Sequence, residues 1–126
     1  MDSNAETVRD WFDALNRRDI TGLLGLMSAD VHFAPGRTGT SKVYRGHDEV
    51  RHFFADADEW LGRPDSTIVV EDVHPVANAR TVTAGRTLDA DGEFVAVHDF
   101  ADDGLISAAQ LYMGADIETL RELGMI

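Results

Sequence analysis

The sequence contains no cysteine, which excludes disulfides, thiolate nucleophiles and cysteine-bound zinc. Lysine occurs once, at Lys42, and the net charge is −12. Phosphate-rich partners are captured by clustered Lys and Arg, so neither nucleic acid nor an anionic membrane is an expected partner. The acidic excess reads instead as a solvated surface. No run approaches the roughly 18 apolar residues of a membrane span. The opening "MDSNAETVRDWF" has neither the basic start nor the apolar run of a secretion signal, and a soluble cytoplasmic protein is the expectation. A glycine-rich phosphate loop and a serine in a nucleophile elbow are missing too. No cofactor is expected.

A metal site is not expected either. "HDEVRH" superficially resembles the metalloprotease pattern HExxH, but His47 and His52 are five apart. On a helix they diverge by about 140°, whereas two ligands on one face need a spacing of four. His32 alternates with Val31 and Phe33, and His74 precedes Pro75 at a strand end; both are assigned to the surface or an interface.

What is present suits one domain over residues 1–126, since 44% of the residues are hydrophobic and a core can be buried at this length. From Asn4 to Asn16, Val8, Trp11, Phe12 and Leu15 fall on one helical face, with Ser3 and Glu6 at capping-box spacing. A short second helix is expected from Ile20 to Met27, followed by a strand at "ADVHF", a loop over 35–42 and a third helix from Asp48 to Leu61. The second half turns to β-rich runs, "STIVVEDVHPV", "ARTVTAGRTLD", "EFVAVHDF" and "LISAAQLYM". "ADG" and "DDG" supply Asp-Gly hairpin turns between the last three. "DIETLREL" closes the chain as a helix with Asp116 as N-cap and Gly124 as its stop. Helices before strands predict an α+β fold whose curved antiparallel sheet wraps around the N-terminal helices.

Within "VAVHDF", alternation puts Phe94, Ala96, His98 and Phe100 on one strand face, and Val95, Val97 and Asp99 on the other. An ionisable ring among phenylalanines is either a working group or a core histidine bonded to a neighbour. By the same alternation Gln110 and Tyr112 face away from Leu111 and Met113.

The stretches "VRDWFDALNRRDITGLLGLMSADVHF", "YRGHDEVRHFF", "VHPVAN", "DDGLI" and "ADIETLRELGMI", in this order, resemble the nuclear transport factor 2-like superfamily. Its cone-shaped, cystatin-like fold is shared by SnoaL-like polyketide cyclases, ketosteroid isomerases and limonene-epoxide hydrolases, and the likeness spans nearly the whole chain. The resemblance implies a homodimer with a pocket for a small hydrophobic molecule. It implies a cofactor-independent acid-base enzyme of cyclase, isomerase or epoxide-hydrolase type, or else a non-catalytic ligand-binding or dimerisation module. The isomerase carboxylate and tyrosine positions fall here on Ala34 or Pro35, Trp11 and Ala96. The hydrolase arginine falls on Arg86, while its aspartates fall on Leu88 and near Leu111, Met113 or Asp116.

In the superfamily register Ala96, His98 and Phe100 face the interior together with Ala84, Arg86 and Leu88. That makes His98 the candidate acid-base group and Arg86 the candidate anion stabiliser; Arg86 alternatively points to solvent or a dimer partner. Trp11, Met27, Phe33, Phe54, Leu88, Phe100 and Leu111 are the candidate apolar lining, with plain core packing as the alternative.

Overall fold

The structure, a computed structural model, describes residues 3–34, 43–55, 68–77, 79–87, 93–113 and 117–122. Helix α1 (Ser3–Asn16) buries Val8, Trp11, Phe12 and Leu15, as the 3.6-residue period requires. The "NRRD" stretch then ends one helix and starts the next. Arg18 takes φ of 60°, and its guanidinium donates to the carbonyls of Leu15 and Asn16 at the helix end, the first of which also accepts the Arg18 N–H. Asp19 caps α2 (Ile20–Gly25) by accepting the N–H of Gly22 at 3.0 Å.

The second helix is shorter than expected. The Leu26 carbonyl accepts from the Ile106 N–H at 2.9 Å and Met27 pairs with Ile106. Sheet pairing therefore claims Met27 for β1 (Met27–Ala34). After β2 (Tyr44–Arg45), Gly46 adopts φ of 78° and opens α3 (Gly46–Ala55). Glu49 accepts the Arg45 N–H at 3.3 Å, and Val50 and Phe54 turn into the core. The expected loop over 35–42 and the third helix beyond 55 lie outside the described residues.

Strands β3 (Ile68–Ala77), β4 (Arg80–Thr87), β5 (Glu93–Phe100) and β6 (Ile106–Met113) form the expected antiparallel meander. Strand β6 then runs parallel to β1, so the curved sheet is mixed, in the order β2-β1-β6-β5-β4-β3. The "DDG" turn is tight: Gly104 has φ of 84°, and Ala101 N–H donates to the Leu105 carbonyl at 2.9 Å. Helix α4 covers Ile117–Glu122. The "ADG" turn, Asp116 and Gly124 lie outside the described residues. Among the described residues no helix is long and apolar enough to cross a membrane.

The sheet's inner face packs on α1, α2 and α3 in one apolar cluster. Its outer face carries a smaller cluster of Val82, Val95 and Val97 against Tyr112. Asn16, at the end of α1, ties the helix to the edge strand: its Nδ2 donates to the Ile68 carbonyl and its Oδ1 accepts the Ile68 N–H, both at 2.9 Å.

Candidate functional site

Residues directly opposite one another in an antiparallel ladder project to the same face, so the register determines what each candidate faces. Thr81 pairs with His98, Thr83 with Ala96 and Gly85 with Phe94; on the other side His98 pairs with Ala109 and Ala96 with Leu111. The inner wall of β4, β5 and β6 therefore reads Thr81, His98, Ala109 in one row and Thr83, Ala96, Leu111 in the next.

Helix α1 lies over this wall. The Trp11 ring meets the His98 ring edge-on with centroids 4.8 Å apart, and Phe12 meets it at 5.7 Å. Trp11 also contacts Phe33 at 6.1 Å, and Phe33 stacks on Phe54 at 5.6 Å. Trp11, Met27, Phe33, Phe54, Phe100 and Leu111 all belong to the inner apolar cluster. Leu88 lies outside the described residues.

Arg86 is placed differently from the expectation. It pairs with Glu93, one residue out of phase with the Thr83 and Gly85 positions, and its side chain is exposed on the outer face. Every pair in this ladder joins an even with an odd residue number, so Arg86 and His98 cannot share a face. The pairing of these two residues on one pocket wall is overturned by a one-residue difference in register. Arg80 is the arginine that finds a carboxylate on this face: its Nε donates to Asp99 Oδ1 at 2.7 Å and its second amine to Oδ2 at 3.1 Å.

The inner wall combines full burial with unmet polar groups. Trp11, Thr81, Thr83 and His98 are each 0% exposed. Trp11 Nε1, both threonine hydroxyls and both His98 ring nitrogens have no hydrogen-bond partner. Ser28 Oγ, on β1, is a further one. Burial pushes the His98 imidazole down to about 3 from its usual 6.5, with the Asp99 carboxylate opposing only in part. A charged imidazole would lose its hydration here without gaining a partner. His98 therefore sits neutral, with one nitrogen able to donate and the other to accept. Among the described residues no Asp, Glu, Lys or Arg is buried, and no three His, Cys, Asp or Glu side chains converge to hold a metal ion.

His47, considered above only as a metal ligand, has its Nε2 at 3.0 Å from the Met27 carbonyl and ties α3 to β1. The polar positions that sequence reasoning missed are Thr81 and Thr83. The same alternation that reads "RTVTAG" supplies them once the phase is known, and Gly85 in that phase is the clue. A Cβ there would approach Phe94 Cε1 to 2.7 Å, so the glycine marks the inner position opposite Phe94.

A family model described as SnoaL-like domain matches residues 8–109, a span that holds Trp11, Thr81, Thr83 and His98. No curated protein sequence matches the chain. Among solved structures, TerC co-crystallised with polyporic acid superposes with a TM-score of 0.74 at 21% identity, over 99% of this chain and 100% of that one. SalBIII, described as an epoxide hydrolase/cyclase-like enzyme with a role in pyran ring formation in the polyether salinomycin, gives 0.71 at 16% identity, over 89% and 91% of the chains. An NTF2-like protein from Burkholderia pseudomallei gives 0.71 at 23% identity, over 96% and 97%. At these identities the likeness is one of fold.

Proposed function

We infer, because this chain belongs to the SnoaL-like domain family, that the inner wall of β4 and β5 beneath α1 binds a small, largely apolar molecule bearing a carbonyl or hydroxyl oxygen. The observation that carries this reading is the set of buried, unbonded polar atoms on Trp11, Thr81, Thr83 and His98. Each such atom costs about 1 to 3 kcal/mol when left unmet. A ligand oxygen among them recovers part of that loss on binding, and the surrounding rings of Trp11, Phe12 and Phe33 offer contact to a flat apolar body.

As an enzyme the chain would work without a cofactor, on chemistry of the cyclase, isomerase or epoxide-hydrolase type, with His98 as the acid-base group. A neutral imidazole of such low basicity acts best as a hydrogen-bond donor to oxygen that gains negative charge, and as a short-range proton relay. The family resemblance also implies a homodimer, for which sedimentation equilibrium would return twice the 13.8 kDa chain mass.

A second reading, a dimerisation module with a filled interior, is favoured by one observation: Trp11 and His98 have no surface that water touches. Titration with 1-tetralone, followed by the NMR signal of the Trp11 indole N–H, separates the two. A saturable shift is expected. If neither 1-tetralone nor tetralin shifts that signal saturably, the wall is core and the second reading stands.

A further inference from the structure

We infer that Thr81 and Thr83 determine the specificity of this wall, selecting a ligand with an uncharged oxygen function over the hydrocarbon of the same shape; the inference rests on the pocket reading above. Both side chains are fully buried on the inner face of β4 with no partner for the hydroxyl. Thr81 stands directly opposite His98, which puts its hydroxyl beside the imidazole without bonding it. Thr83 stands opposite Ala96, the smallest inner side chain of β5, whose neighbours on that face are Phe94 and His98. An oxygen seated against Ala96 would meet Thr83 on one strand and His98 one row away on the next.

The donor and acceptor inventory defines the ligand. The indole N–H donates only, the neutral imidazole donates once and accepts once, and each hydroxyl does both. An oxygen acceptor is thus required, and a ligand hydroxyl is also accommodated. Because no charged side chain is buried among the described residues, a ligand carboxylate or ammonium would be left without a counter-charge. The chemical class is a neutral ketone, enol or phenol on an apolar frame.

The ratio of dissociation constants for tetralin and 1-tetralone tests this in the parent and in Thr81→Val, Thr83→Val and Thr83→Ser. Valine keeps the shape and suits a strand, and serine keeps the hydroxyl. The parent is expected to prefer the ketone, and each valine variant to lower that preference about tenfold by deleting a buried hydrogen bond, with tetralin affinity unchanged. Thr83→Ser should retain the preference, and the His98 ring nitrogen shifts should respond to 1-tetralone less in Thr81→Val than in the parent. An unchanged ratio in both valine variants, with both compounds still bound, would overturn the role of the threonines and leave the pocket intact. Binding of neither compound to the parent would remove the pocket and this inference with it.

Discussion

The Trp11 indole and the His98 imidazole meet at an interplanar angle of 73° with centroids 4.8 Å apart, so α1 and β5 touch through two rings whose nitrogens lack hydrogen-bond partners. Around His98 stand Thr81 on β4, Ala109 on β6, and Phe12 with Trp11 on α1. None of these carries a charge. The Asp99 carboxylate, next to His98 in the chain, points to the opposite face and is taken up by Arg80.

That environment makes acid the specific threat to this fold. Since burial lowers the His98 value to about 3, the unfolded chain binds the proton first as pH falls through 6.5. Stability from this residue is complete above pH 6.5 and is lost progressively down to about pH 3. The loss between pH 7.5 and pH 5 amounts to about 2 kcal/mol. Urea denaturation across that range should show the slope in the parent and a shallower one in His98→Phe. Equal slopes would mean that His98 is protonated or solvated in the folded state.

At pH 7.5 the same variant makes a separate prediction. Replacing a ring with two unbonded nitrogens by a ring with none should leave stability unchanged or raise it by up to about 1 kcal/mol, read as an unchanged or higher melting temperature. Arg86→Leu, on the exposed outer face, should stay within about 0.5 kcal/mol of the parent. A loss of about 2 kcal/mol in His98→Phe would show that the imidazole holds a partner, and would take it out of the proposed site.

The contrast between these two residues shows where the sequence is legible. Helical spacing identified Val8, Trp11, Phe12 and Leu15 correctly, because a 3.6-residue period reports one buried face without reference to anything distant. Strand alternation likewise puts His98 on the inner face that the structure shows. It does not place Arg86, because the face of that residue depends on how β4 registers against β5. A two-residue hairpin loop joins even to odd residue numbers, as observed in this ladder, so the Asp-Gly turn signal itself argued against a shared face for Arg86 and His98. The parallel pairing of β1 with β6 left no local signal at all. Nor did the link from Asn16 to Ile68, which joins positions 52 residues apart.

Asn16 is expected to matter more than its polar, half-buried character suggests. Its amide reproduces the donor and acceptor of one strand residue against Ile68 and so anchors the end of the helix that carries Trp11. Asn16→Ala should destabilise by about 1 to 3 kcal/mol, read as a lower urea midpoint with an unchanged slope. Asn16→Asp keeps the acceptor, loses the donor and sets a carboxylate against the Ile68 carbonyl, so it should not recover the parent value. Parent-like stability in Asn16→Ala would mean that packing alone holds α1 to β3.

Gly85 offers the sharpest test of the register on which the site depends. If Gly85 faces inward opposite Phe94, a methyl group there meets Phe94 Cε1 at 2.7 Å and Cζ at 2.9 Å, and comes closer still to the Val69 carbonyl. The ring can turn aside, but the carbonyl belongs to the neighbouring strand and moves only with it. Gly85→Ala should therefore cost about 1 to 3 kcal/mol through overpacking, although alanine would otherwise suit an extended strand better than glycine. Phe94→Leu removes the ring edge, so the double variant should recover part of the loss and no more, because the Val69 clash persists; a double-mutant cycle measures that coupling. No coupling between positions 85 and 94 would place Gly85 on the outer face with the whole strand shifted by one residue. Thr81 and Thr83 would then leave the wall, and Arg86 would return to it.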